Sequence, residues 1–280
     1  AIATVISAFF SLLAYLALLS RRAYDRRYHS LGGWRFKGSL FARVLRFGFP
    51  NGVQFFLDVA GFTVFILLMG RLGTNALAAT NIAFNISTLA FMPMIGFGIA
   101  VSVSVGQQLG KDRPDLAKRS VYSGFHLTFL YMGTVAALYV LVPDLFLRPF
   151  AAQADAERFM AIREMAVILL RFVAVYSLFD TLNIIFASAI KGAGDTRYVM
   201  FMILIMSLLV LVIPSYVALV VLHAGIYVGW TIASAYIIIL GIAFLLRFLG
   251  GKWKSMRVIG EVSPALPQTL PESPIAEFEP

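Results

Sequence analysis

Seven long apolar runs, separated by short charged segments, constrain this chain more than any other feature of its sequence. Each run reaches about 20 residues, the length that a helix needs to cross the hydrocarbon core of a bilayer. Helices satisfy their own backbone hydrogen bonds in lipid, and the runs lack the alternation of barrel strands. The pattern therefore predicts an all-α integral membrane protein, a polytopic helix bundle. The runs cover residues 1–20, 47–70, 79–107, 121–142, 165–190, 198–222 and 226–248.

Composition excludes several other classes of protein. The 280 residues are 60% hydrophobic and 13% charged, whereas a soluble domain is about 25% charged. The chain has no cysteine, which excludes disulfides and thiolate metal sites. Its net charge of +9 comes from Lys and Arg in short segments between the runs, which cannot form the basic face of a nucleic-acid-binding domain. The lipid bilayer is the expected surrounding, and nucleic acid is not an expected partner.

The basic residues also predict an orientation. Alternate linkers carry 18 Lys and Arg side chains on one side and 4 on the other. Basic loops are cytoplasmic, so residue 1 is expected outside and the C-terminus inside the cytoplasm. We expect a multi-pass protein of a bacterial inner (plasma) membrane. The odd number of runs and the first residue, Ala1, suggest part of a longer chain.

Two aspartates lie at membrane depth, Asp58 in the second run and Asp180 in the fifth. A carboxylate there costs at least about 2.5 kcal/mol, and such residues usually face a polar cavity and bind an ion or a substrate. The basic residues within the runs are Arg171 and, where the last run ends, Arg247. Asp58 and Asp180 are each about 12–16 Å along a helix from the cytoplasmic ends of their runs, at similar depth.

Polar side chains share the helix faces of both acids. Tyr176 and Asn183 stand at i−4 and i+3 from Asp180, and Gln54 stands at i−4 from Asp58. Oxygen ligands of this kind suit a hard cation such as Na⁺. A carboxylate away from water is equally a candidate proton carrier, because desolvation favours its neutral form. The alternative is that each acid merely pairs within the bundle.

Pro93 stands near the centre of the third run. A proline within a helix removes one hydrogen bond and bends the helix. The bend is either static or a hinge between two states, as in many transporters.

No arrangement of residues indicates catalysis. Walker-type, His-x-x-x-His and nucleophile-elbow patterns are absent from the sequence. We therefore predict no catalytic residue, no enzyme activity and no cofactor beyond a coupling ion, Na⁺ or H⁺.

Four segments together resemble multidrug and toxin extrusion (MATE) transporters. Residues 47–58 (FGFPNGVQFFLD) resemble the opening of the seventh helix of that family, and residues 70–79 (GRLGTNALAA) resemble the loop that follows. Residues 92–110 are similar to the eighth helix and its exit, and residues 191–196 (KGAGDT) to the turn between the tenth and eleventh helices. The order and spacing of these segments carry the resemblance, which extends over about residues 1–258.

The resemblance implies a domain organisation. MATE transporters have twelve helices in two six-helix lobes, so residues 47–258 are expected to form the C-terminal six-helix lobe. Residues 1–20 would be the last helix of the missing N-terminal lobe, residues 21–46 the cytoplasmic inter-lobe linker, and residues 259–280 a disordered cytoplasmic tail.

The resemblance also implies a site. In the NorM-type branch of the family, a cation site uses an acid of the seventh helix with a Tyr and an Asp of the tenth. Asp58, Tyr176 and Asp180 match those positions, and Asp58 stands where Glu is usual. Na⁺ is therefore expected at Asp180, Tyr176 and Asp58.

We accordingly predict a secondary active antiporter. It would export small cationic organic compounds, including drugs, in exchange for Na⁺ or H⁺ by alternating access. One alternative is a lipid-linked oligosaccharide flippase of the same superfamily, which would be expected to present a basic cavity. Another is a self-contained seven-helix membrane sensor or enzyme.

Overall fold

The computed structural model describes residues 2–19, 36–151 and 156–256, and the chain is helical throughout most of those ranges, which hold no strand. Two π-helical stretches, Ser207–Val212 and Val217–Val221, lie within the fifth long span, which begins at Thr196. The α-helices are α1 (Ile2–Leu19), α2 (Gly38–Gly70), α3 (Thr74–Gly110), α4 (Pro114–Leu141), α5 (Pro143–Ala151), α6 (Ala156–Gly192), α7 (Thr196–Met206), α8 (Ile213–Tyr216) and α9 (Ile226–Leu249).

The helices confirm the predicted fold class. In the described residues, six helical segments are long and apolar enough to span a membrane, and a shorter apolar stretch, Val5–Leu18, lies within α1. The fifth of these spans, Thr196–Val221, contains α7, α8 and both π-helical stretches. By length and composition, the chain is a multi-pass membrane protein.

Several helices begin before their predicted runs: α4 begins at Pro114, seven residues before the fourth run, and α6 at Ala156, nine residues before the fifth. Helix α2 begins at Gly38, nine residues before the predicted start of the second run. Its first turns carry Arg43 and Arg46, so a search for apolar residues does not detect them as helix. The rest of the predicted linker, residues 21–35, and the predicted tail lie outside the described residues.

Contacts divide the chain into two units, residues 1–49 and residues 50–280. In the first unit, the rings of Phe36 and Phe41 lie 5.2 Å apart at the start of α2. The second unit holds the rest of α2 and all later helices, so Asp58 and Asp180 both belong to it.

Helix α6 is the centre of the second unit. It packs along α3, α4 and α9. Half of its most apolar window is buried within the protein, against 22–28% for α2, α3 and α4. A residue in the middle of α6 is therefore more enclosed than one on the other long helices, and Asp180 occupies such a position.

Small residues allow α6 to approach its neighbours closely. An added Cβ at Gly192 would lie 2.9 Å from the Cα of Ser102 on α3. At Gly241 of α9, an added Cβ would lie 2.8 Å from the carbonyl oxygen of Phe179, one residue before Asp180. Such contacts drive helix association in lipid, where there is no hydrophobic force between helices.

An ion pair closes one end of the bundle. Nη2 of Arg247, in the last turn of α9, lies 2.5 Å from Oδ2 of Asp195, which precedes α7. The guanidinium also lies 4.2 Å from the ring centroid of Tyr198. Both charged side chains are mostly buried, so the pair ties the α6–α7 turn to the end of α9.

The α3–α6 contact can be tested with two glycines. We expect Gly192→Ala to lower stability by about 1–3 kcal/mol, because the added methyl meets backbone that cannot move aside. In Gly96→Ala, on the same helix as Ser102, the methyl meets open space. Ala has the higher helix propensity, so this control should be neutral or stabilising. Thermal unfolding in detergent measures both, and equal shifts would contradict the packing argument.

Candidate functional site

Asp180 lies in the middle of α6 and is 8% exposed. Its Oδ1 accepts a hydrogen bond of 2.9 Å from Nδ2 of Asn183, one turn further along the helix. The structure thus brings together the two residues that the sequence paired. The amide fixes the rotamer of the acid and leaves Oδ2 of Asp180 for another partner.

Asp58 reaches the same region from α2 and is half-buried. Gln54 Nε2 donates to its Oδ2 over 3.4 Å, a long hydrogen bond that holds the carboxylate loosely. Asp58 is close enough to Asp180 for their charges to interact. The two acids, 122 positions apart in the sequence, are thus within electrostatic reach of each other.

Two phenols accompany the acids. Tyr176, one turn before Asp180, is 7% exposed and lies beside Ser87 of α3. Tyr236 of α9 is 3% exposed and interacts with the charges of both Asp58 and Asp180. The sequence indicated Tyr176 but not Tyr236. A single Tyr within an apolar run does not reveal which neighbouring helix its side chain faces.

Aromatic side chains close one side of the site. Trp230 is fully buried, and its Nε1 donates to Oγ1 of Thr80 on α3 over 3.4 Å. Its ring centroid lies 5.2–6.5 Å from those of four neighbours contributed by α2, α3 and α6. These neighbours are Phe65, Phe84, Phe172 and Tyr176. The cluster excludes water next to Tyr176 and strengthens the electrostatic interactions of the acids.

Helix α6 also carries a basic residue, Lys191. It stands in the last turn of α6, is half-buried, and its charge interacts with that of Asp58. The sequence had placed it only at the flank of a turn. The region therefore holds two carboxylates and one ammonium.

Neither acid of the site has a salt-bridge partner among the described residues. The ion pairs there join Asp144 to Arg163 and Asp195 to Arg247. Within the described ranges, Asp58 and Asp180 thus lack the ion pairs that the alternative interpretation expected. The described residues also hold no cluster of three His, Cys, Asp or Glu that could bind a metal ion. Two carboxylates with phenol and amide oxygens suit a weakly held monovalent cation or a proton instead.

Helix α3 continues through Pro93, whose side chain is exposed. On the turn before the proline, Tyr131 of α4 donates to the carbonyl of Ala90 over 3.3 Å. One turn earlier, Tyr139 donates to the carbonyl of Ile86 over 3.1 Å. These two phenols fix α3 on one side of Pro93, and its role as a hinge stays a prediction.

The sequence model of the MatE family matches residues 50–217, which include every predicted site residue. The chain belongs to this family. A probable multidrug resistance protein NorM of Brucella suis is 31% identical over 193 residues, which are 69% of this chain and 40% of that protein. A protein of the same description from Thermotoga maritima is 25% identical over 77% of this chain and 45% of its own length. The chain thus spans less than half the length of the curated relatives it matches.

Solved MATE transporters share the fold. One in a straight conformation gives a TM-score of 0.71 at 16% identity, covering 86% of this chain and 54% of that one. The MATE transporter ClbM in complex with Rb⁺ gives 0.68 at 20% identity, covering 87% and 55%. The resemblance seen in the sequence is confirmed, and these relatives are transporters rather than enzymes.

The unpaired state of Asp180 leads to a prediction about stability. We expect Asp180→Asn to raise the free energy of unfolding at pH 8 by about 1–3 kcal/mol, since it removes a buried charge that lacks an ion-pair partner. Asp144→Asn is the control, because that acid is 53% exposed and paired with Arg163. An exposed pair contributes at most about 1 kcal/mol, so the control should be neutral or slightly destabilising. Thermal unfolding in detergent compares the two, and a loss of stability in Asp180→Asn would contradict this account.

Proposed function

We propose that this chain is the C-terminal half of a secondary active antiporter that exports cationic organic compounds in exchange for Na⁺ or H⁺. The observation that carries the proposal is that Asp180 is buried and Asp58 half-buried in membrane-length helices, with neither acid in a salt bridge among the described residues. An acid at membrane depth that forms no ion pair within the protein can bind a mobile cation.

Each site residue has a proposed role. Asp180 is the main ligand or proton carrier, with Tyr176 as a neutral oxygen ligand and Asn183 orienting the carboxylate. Gln54 orients Asp58 in the same way. The Rb⁺ complex of ClbM supports a monovalent cation as ligand in a transporter of this fold.

The sign of the site favours a cationic substrate. Both acids fall at similar predicted depth in apolar runs of the sequence, and a cation on the proposed transport path would be attracted to them. A flippase for lipid-linked oligosaccharides would need the opposite sign for its anionic diphosphate. Membership of the MatE family also disfavours a self-contained seven-helix sensor or enzyme.

The remaining lobe, the orientation and the membrane are part of the proposal. The N-terminal lobe would complete the transporter, with residues 1–20 as its last helix. The C-terminus would be cytoplasmic, in a bacterial inner membrane, because of the basic linkers. Alternating access would move the lobes against each other, with Pro93 as a hinge.

The coupling role of Asp180 can be tested in the complete transporter. Asp180→Asn should abolish ethidium or norfloxacin efflux from cells at normal expression, because the neutral amide cannot take up and release a cation with its gradient. Asp115→Asn is the control. That acid is exposed in the first turn of α4, and its loss should leave efflux unchanged. Efflux by the Asp180 variant at the wild-type rate would contradict the proposal.

The missing lobe leads to a separate experiment. Residues 1–280 expressed alone should insert into the membrane but support no efflux, because one wall of the proposed substrate path is lacking. Co-expression of an N-terminal lobe should restore efflux. Efflux by the 280-residue chain alone would favour a self-contained protein instead.

A further inference from the structure

We propose that the first twelve residues of α2, residues 38–49 (the arm), lie on the membrane surface and bind the headgroups of anionic phospholipids through Arg43 and Arg46. The arm is the part of α2 that precedes Pro50, a proline within the helix. This lipid-binding surface goes beyond the proposed antiport, since it involves neither Asp58 nor Asp180.

Helix α2 is longer than a bilayer requires. Its 33 residues extend about 50 Å, whereas the hydrocarbon core is about 30 Å thick. Even at a tilt of about 40°, the upper end of the usual range for membrane spans, the helix would be roughly 8 Å too long. The excess falls at the start of α2, because the apolar run begins only at residue 47. The arm is therefore expected at the boundary between lipid and water.

The arm is amphipathic around its axis. Residues at helical spacing place apolar side chains on one face and polar or small side chains on the opposite face. The apolar face holds Leu40, Phe41, Val44 and Leu45, and the opposite face holds Ser39, Ala42, Arg43 and Arg46. All eight residues are exposed, Val44 at 67%. The ring of Phe36 lies 5.2 Å from that of Phe41 and extends the apolar face. Among the described residues, nothing buries this face.

The charge of the arm identifies the surface that complements it. The sequence holds no Asp or Glu between Asp25 and Asp58, so the arm carries only positive charge. The ion pairs of the described residues join other side chains, and Arg43 and Arg46 have no carboxylate partner there. A guanidinium binds a phosphate oxygen pair with two parallel hydrogen bonds.

The occupant that fits both faces of the arm is an anionic bilayer surface. Basic amphipathic helices bury their apolar face below the headgroups and attract anionic lipids with their basic side chains. The bilayer is already adjacent, because the arm continues into a membrane span within one helix. A separate protein partner would have to supply an apolar groove and acidic side chains together.

Fluorescence quenching tests where the arm lies. The chain has no cysteine, so one introduced cysteine places a single fluorophore on the 280-residue chain in lipid nanodiscs. A label at Val44→Cys should be quenched by phospholipid that carries a nitroxide on its acyl chain and should be protected from iodide in the water. A label at Ala42→Cys, on the opposite face, should show the reverse.

The headgroup preference is measured at the Val44 label. Nitroxide-labelled phosphatidylglycerol should bind more tightly there than nitroxide-labelled phosphatidylcholine, on the order of fivefold for each guanidinium. Arg43→Gln combined with Arg46→Gln should remove most of this preference. Arg71→Gln combined with Arg148→Gln removes two exposed charges elsewhere and should leave the preference unchanged.

A label in a membrane span separates binding by the arm from a general attraction of anionic lipid. Leu130 is 70% exposed in the middle of α4, and a label at Leu130→Cys should be quenched equally by the two lipids. Equal quenching at Val44, or the same phosphatidylglycerol preference at Leu130, would overturn headgroup binding by the arm. Quenching of the Val44 label by iodide alone would place the arm in water, and quenching by neither agent would place it against protein. Either result would overturn the proposal and leave the proposed cation site untouched.

Discussion

The enclosure of Asp180 by α6 and its neighbours is the constraint on which the rest of the structure depends. An acid can stay in a membrane span only where protein, not lipid, surrounds it. Helix α6 meets that condition because α3, α4 and α9 all pack along it. Two of those contacts need glycine, at Gly192 against α3 and at Gly241 beside the backbone around Asp180. The close packing of helices around α6 is therefore what allows this helix to carry a charged side chain at Asp180.

The fold surrounds the carboxylate of Asp180 with polar and aromatic side chains. Asn183 donates to Asp180, the phenols of Tyr176 and Tyr236 come from two helices, and the rings around Trp230 exclude water on one side. None of these groups carries a positive charge. The protein thus orients the carboxylate without neutralising it, which distinguishes it from the Asp195–Arg247 pair. That pair ties two helix ends together, and its charges are offset within the protein.

The sequence predicts the features that depend on one helix at a time, and it does not predict those that depend on how the helices pack together. The apolar runs gave the long helices, because a span in lipid must be continuous and apolar. Asp58 and Asp180 were found for the same reason, as exceptions to that rule. Tyr236 and Lys191 were not, since their role depends on which helices face each other. The start of α2 at Gly38 was missed because its polar first turns do not look like a membrane span.

The packing also indicates which part can respond to a cation. Helices α3, α6 and α9 approach through glycine, so they move together or not at all. Helix α2 meets α3 and α9 through the rings of Phe62 and Phe65, and its Gly61 packs against Ser207. Asp58 belongs to α2, and a cation bound at Asp180 would remove the repulsion between the two acids. In the proposed cycle, the free energy of cation binding therefore acts on the distance between α2 and α6. Helix α2 follows the predicted inter-lobe linker, so a shift of α2 against the other three helices would be the route by which the proposed cation site acts on the proposed N-terminal lobe.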